Sequence, residues 1–147
     1  MITLKELQDM WAVDCKIDEM SLGKESTRTP ELHSKYLNYM SDIRLHLRKS
    51  NAALYKLRKV KVQYYRGELS KEDLDRLGWD QWLGPKPLKS DLNEMLDADD
   101  DVIEQGNKVE YIATIADFLE RVMRSLNSRS FDIKNSIEWT KFTNGLM

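Results

Sequence analysis

The chain contains one cysteine, three prolines and six glycines in 147 residues. A lone Cys15 excludes an intrachain disulfide and suits a reducing compartment. Scarce proline and glycine argue against a turn-rich β fold, and a charged fraction of 33% favours helices with solvated faces. No stretch approaches the ~18 consecutive apolar residues of a membrane span. The opening MITLKELQDMW has acids in its first turns and no apolar run, so it is not read as a secretory leader. A soluble intracellular protein is expected.

Catalytic chemistry is equally sparse. His33 and His46 have no cysteine or histidine companion at ligand spacing, so no metal site is expected. There is no G-x-S-x-G, no phosphate-binding glycine loop and no dinucleotide fingerprint. The carboxylates lie on polar helix faces, without the paired burial that separates an acid from a base. Asp97-Ala98-Asp99-Asp100-Asp101 suggests a calcium loop, but Val102 stands where glycine is needed and Lys108 where a bidentate glutamate is needed. Those acids are expected to cap the helix that follows. Neither an enzyme nor a cofactor is expected.

The most telling absence is of negative charge between Arg44 and Arg66. That stretch holds Arg44, Arg48, Lys49, Lys56, Arg58, Lys59, Lys61 and Arg66, with Tyr55, Tyr64 and Tyr65 interleaved and no Asp or Glu. The whole chain carries a net charge of −2, so the excess is local. Self-repelling cations call for something negative opposite them. Cations mixed with aromatics suit an unpaired nucleic acid, which offers phosphates and base faces. The alternative is a structural or adaptor bundle, whose basic face docks on an acidic protein or on the acidic Glu68–Glu104 segment of this chain or of a neighbouring copy.

Helical periodicity organises the rest. Thr3 opens a capping box with Glu6, and Leu4, Leu7 and Trp11 share one face of a short helix. Ser21 to Thr29 reads as a loop. Thr29-Pro30-Glu31 then reads as a helix start, with a capping hydroxyl followed by proline in the first turn. From there Leu32, Tyr36, Tyr39, Ile43, Leu47, Leu54 and Leu57 form one apolar stripe as far as Gly67. Such a helix would be about 55 Å long. Lys61 falls inside the stripe. Its side chain either snorkels to water, meets a buried counter-charge, or marks a distortion of the helix near Lys59.

Residues 68–87 read as a linker with a short capped turn at Ser70. Trp79 and Trp82, among Gly78, Gly84, Pro85 and Pro87, are expected to tuck onto a core. A helix from Leu88 to Leu96 is expected to be capped by Ser90. Another is expected from Val102 to Leu126, with Val109, Ile112, Ile115, Ala116, Leu119, Val122, Met123 and Leu126 as a broad apolar stripe suited to oligomerisation. Ser128-Arg129-Ser130 is read as a break, after which Phe131, Ile133, Ile137 and Phe142 fold back as a hairpin. The fold class expected is all-α, an elongated bundle with a long basic helix and a C-terminal oligomerisation hairpin. Residues 1–67 form its N-terminal basic region, 68–87 its linker and 88–147 its oligomerisation region.

Three collinear segments carry a family resemblance. Leu32-His33-Ser34-Lys35-Tyr36-Leu37-Asn38 is similar to an L-Y-S-K-W-L-N motif. Lys59-Val60-Lys61-Val62-Gln63-Tyr64-Tyr65 with Gly67 is similar to K-A-R-L-D-Y-Y and its following glycine. The third runs from Lys89-Ser90 through Leu96, Ala98, Asp99 and Asp101-Val102 to Ser128-Arg129, Phe131, Ile133 and Lys134. In order and spacing the chain resembles the UvsY recombination mediators of T-even-type bacteriophages. The resemblance implies a non-enzymatic ring, a hexamer or heptamer, in the cytoplasm of the bacterial host. Such a ring would bind single-stranded DNA, help displace the phage single-stranded-DNA-binding protein and load a RecA-like recombinase. It assigns DNA binding to Lys59 and Lys61 and oligomerisation to the stripe after Val109. Together with the charge pattern, the expected DNA-binding set is Arg44, Arg48, Lys56, Arg58, Lys59, Lys61, Tyr65 and Arg66. Lys61 stands in place of an arginine, which keeps the charge and loses the planar fork.

Overall fold

The computed structural model describes residues 1–145. Its helices are α1 (Leu4–Asp14), α2 (Leu22–Tyr65), α3 (Lys71–Leu77), α4 (Lys89–Asp97) and α5 (Asp100–Thr143). No strand occurs among the described residues, so the all-α expectation holds. The chain divides into two compact units, residues 1–46 with 112–147, and residues 47–111. The long helices α2 and α5 contribute to both.

The first unit is built on an apolar seam. In α5, Ile112, Ile115, Leu119, Val122, Leu126, Arg129 and Ile133 follow one another at alternating steps of three and four residues, and all are buried. This is a heptad seam carried through an arginine. Leu32, Tyr36, Met40 and Ile43 of α2 and Leu7 of α1 complete the core. The capping box at Thr3 and Glu6 forms as expected.

Arg129 explains two departures from the sequence reading. The expected break at Ser128-Arg129-Ser130, and the hairpin beyond it, are absent; α5 runs through without interruption. Arg129 takes a seam position and donates from Nη2 to Glu25 Oε2 at 2.6 Å and to the Glu25 carbonyl at 3.3 Å. Its Nε donates to Thr29 Oγ1 at 3.0 Å. Ser128 bonds back to the Arg124 carbonyl within the helix. Ser128 and Arg129 thus find partners, and Ser130 is exposed, with no break in the helix.

The same contacts move the start of α2. The helix begins at Leu22, and Pro30 lies inside it rather than at its first turn. An interior proline removes one backbone bond and costs about 3 kcal/mol. Here the contacts of Arg129 with Glu25 and Thr29 fix the turn that precedes Pro30. Ser26, whose carbonyl loses its partner, is exposed and open to water. A tertiary anchor thus overrides a strong local start signal.

Asp14, at the end of α1, is a second anchor of this unit. It accepts from Arg28 at 3.1 Å, Lys35 at 2.7 Å and the Tyr36 hydroxyl at 2.8 Å. Burial works against its charge, but the bonds from Lys35 and Tyr36 and the positive charges of Lys35 and Arg28 outweigh it. The carboxyl is held below its ordinary value. Burial and the bond to Asp14 push the Tyr36 phenol well above its usual range.

In the second unit, α2 ends in a Schellman turn. The Gly67 amide bonds the Tyr64 carbonyl and the Glu68 amide the Gln63 carbonyl, with Gly67 at a φ of 71°. Ser70 caps α3. Ser90 does not cap α4; it lies within the helix, which starts at Lys89 after an extended Leu88 with no side-chain cap. Asp99 caps α5, accepting from the amides of Asp101 and Val102.

Candidate nucleic-acid interface

The basic stretch of α2 separates into two populations. The first faces the interior of its unit. Lys61 is 5% exposed, and its Nζ lies 3.1 Å from Asp99 and 2.7 Å from Asp101. The same ammonium sits 4.0 Å from the ring centroid of Trp79 and 5.3 Å from that of Tyr64. A lysine in an apolar stripe must be neutralised or reach water. Here it is neutralised, by two carboxylates and two aromatic faces.

Tyr65 belongs to this interior. Its hydroxyl donates to Asp99 at 2.6 Å, and its ring meets Tyr64 and Trp82 edge to face. Burial and the bond to Asp99 push its phenol well above the usual range. Asp99 is itself buried, which opposes its charge. The bonds from Tyr65, the Val102 amide and Lys61, with the Lys61 charge, prevail and hold it below its ordinary value. Tyr64 bonds the Asp80 carbonyl at 2.6 Å and packs on Trp79 and Trp82. The two tryptophans tuck onto a core, as expected. Trp82 bonds the Pro85 carbonyl and lies so close over Gly84 that any β-carbon there would collide with its ring. Arg58 pairs with Asp97 at 3.1 Å.

Lys61 and Arg58 are thus answered by the chain's own acidic segment, as the alternative reading of the basic stretch anticipated for the stretch as a whole. Tyr65, with its hydroxyl bound and its ring against Tyr64 and Trp82, is half-buried. Arg44, in the first unit, makes an exposed pair with Glu120 at 3.5 Å.

The second population faces water. Arg48, Lys49, Lys56, Lys59 and Arg66 are exposed and make no ion pair among the described residues. On a helix of 3.6 residues per turn, Arg48, Tyr55, Lys59 and Arg66 fall within about 20° of a single line. Arg66 follows the last helical residue but still bonds the Val62 carbonyl, so it continues that line. Lys49 and Lys56 flank it by about a quarter turn. Tyr55 stands among them, 73% exposed. The result is an acid-free ridge of unpaired cations with one bare aromatic ring.

The expected oligomerisation residues divide in a similar way. Ile112, Ile115, Leu119, Val122 and Leu126 are buried within the chain's own core, whereas Val109, Ala116 and Met123 are half-buried. The large apolar side chains that α5 leaves exposed are Ile103, Tyr111, Phe131, Trp139 and Phe142, the last two stacked on each other. Sequence periodicity alone does not say whether a stripe is covered from within or from without. No helix among the described residues is long and apolar enough to cross a membrane.

The family model described as recombination, repair and ssDNA binding protein UvsY matches residues 10–146. The recombination protein uvsY of Enterobacteria phage T4 is 28% identical over 142 residues, covering 97% of this chain and 98% of that protein. One crystal structure of the bacteriophage T4 recombination mediator protein UvsY superposes with a TM-score of 0.83 at 25% identity, covering 98% of this chain and 99% of that one. A second lattice form gives 0.82 at 27% identity, covering 94% and 98%.

Proposed function

The chain belongs to the UvsY family of recombination, repair and single-stranded-DNA-binding proteins, and on that premise we propose that it is a recombination mediator whose α2 ridge tracks single-stranded DNA. Several copies form a ring, a hexamer or heptamer, and the ridge repeats around it. Each copy alone binds weakly; repetition raises avidity without new contacts. The ring helps displace a single-stranded-DNA-binding protein and loads a RecA-like recombinase. The chain performs no catalysis and acts in the cytoplasm of the bacterial host.

The observation that carries this reading is the row of exposed, unpaired cations at Arg48, Lys49, Lys56, Lys59 and Arg66, with no carboxylate on the same stretch of helix. Phosphates are the partner such a row lacks, and each phosphate neutralised releases counterions. On this reading Lys61 and Arg58 make no direct contact, because Asp99 and Asp101 pair with the first and Asp97 with the second. The ring interface uses the apolar side chains that α5 leaves exposed rather than its buried seam.

The test is a salt titration. For the doubly substituted Lys56→Ala, Lys59→Ala protein, binding to a labelled oligothymidylate, followed by anisotropy, should weaken. The slope of log affinity against log salt should shrink by about 1.4, for two phosphates at ~0.7 each. An unaltered slope would remove these lysines from the track.

A further inference from the structure

We infer that Tyr55 is a base-stacking residue, and that it makes the α2 ridge select unpaired nucleotides over duplex. This rests on the ridge being a phosphate track and adds to it a second recognition element, for the base.

The chain has six tyrosines. Tyr36 is bonded to Asp14, Tyr39 packs against Tyr36, Tyr64 is bonded to Asp80 and Tyr65 to Asp99. Tyr111 also has a partner within the chain. Tyr55 alone among them, within the described residues, has neither a hydrogen bond nor a ring contact, and it is the most exposed of them. It also stands on the solvated face, where a helix of this composition has no structural use for an aromatic ring.

The surroundings fit a base. Helical tyrosines lean over the preceding turn, which here presents Asn51 and Ala52, side chains too short to cover a ring. Lys59 follows one turn later, about 6 Å along the axis, comparable to the separation of a nucleotide's base from its own phosphate. Lys56 adjoins it and Arg48 lies two turns before. A base resting on Tyr55 would therefore leave its phosphates within reach of unpaired cations on both sides. Every base has a π-face, so the contact tolerates any sequence. In a duplex the base faces are already stacked and only their edges reach the grooves. The ring would then gain nothing, and only the cations would bind.

The experiment compares the wild type with Tyr55→Ala and Tyr55→Phe on three probes of equal length: oligothymidylate, an abasic oligonucleotide and a duplex. Unchanged circular dichroism and thermal midpoint establish that the variants fold. Expected for Tyr55→Ala is a loss of roughly tenfold or more on oligothymidylate, no change on the abasic strand or the duplex, and an unaltered salt slope. Tyr55→Phe should bind as the wild type, because the ring face is kept. Equal affinity of Tyr55→Ala and wild type for oligothymidylate would overturn the inference while leaving the ridge intact. So would an equal loss on the abasic strand, which has no base to stack. If the wild type binds all three probes without salt dependence, the phosphate track itself fails and the inference falls with it.

Discussion

The two units of the chain are held together by different means. In the unit of residues 1–46 and 112–147, a long row of apolar side chains from α2 and α5 is buried, and its ionic anchors are Asp14 and the Arg129–Glu25 pair, whose arginine stands in the row itself. In the unit of residues 47–111, the described buried apolar residues are Leu92, Leu96 and Val102, and a lysine, two aspartates and four aromatic rings do much of the remaining work. Apolar burial stabilises in proportion to area whatever the pH. A buried ionic cluster is stabilising only while every member is present and charged. The open cations belong to the unit with the sparser apolar core. Ligand-binding segments are commonly drawn from the less stable part of a protein.

The comparison can be broken by substitution. The largest effect is expected for Leu119→Ala, which empties a fully buried position of the first unit and should cost about 2–5 kcal/mol in urea unfolding. A loss below about 1 kcal/mol would mean that the seam does not carry that unit. Next comes Lys61→Met, which leaves Asp99 buried without its cation and should cost about 3 kcal/mol. Adding Asp99→Asn to it should restore part of that loss. Strict additivity of the two changes would deny their coupling.

Acid should weaken both units through different residues. Asp14 and Asp99 have folded-state values lowered from 3.8. Their contribution is complete above that unfolded value, declines as the pH falls below it, and is lost once the folded-state value is passed. The dependence of unfolding free energy on pH between about 5 and 2 should therefore flatten in Asp99→Asn and, separately, in Asp14→Asn. A profile as steep as the wild type in either variant would remove that residue from the account. The smallest effect belongs to Arg44→Ala. Its exposed pair with Glu120 at 3.5 Å should be worth at most about 1 kcal/mol, read as a thermal midpoint near that of the wild type.

Much of this architecture was legible where one local rule acts alone. Thr3 with Glu6, Ser70, Gly67 and the apolar stripes of α2 and α5 all behave as their spacing predicts. The readings that failed share a cause. Ser128-Arg129-Ser130 looked like a break and Thr29-Pro30 like a start because Arg129 and Glu25, 104 positions apart, are invisible to one another in a local window. Lys61 was legible as an anomaly in the stripe, but its counter-charges come from 38 and 40 residues away. Charge pattern found the basic stretch, yet it could not sort the cations that face Asp97, Asp99 and Asp101 from those that face water. For the same reason it grouped Tyr65 with the open cations, whereas the ring exposed beside them is Tyr55.

Asp99 ties events on two scales of sequence. Its side chain caps the first turn of α5 at the amides of Asp101 and Val102, a contact made within three residues. It also accepts from Tyr65, 34 residues away. During folding the nearby contact is available at once, while the distant one must wait for a long loop to close and bear its entropy. A chevron analysis of Asp99→Ala, set beside one of Tyr65→Phe, would thus report separately on the early and the late half of one carboxylate's work.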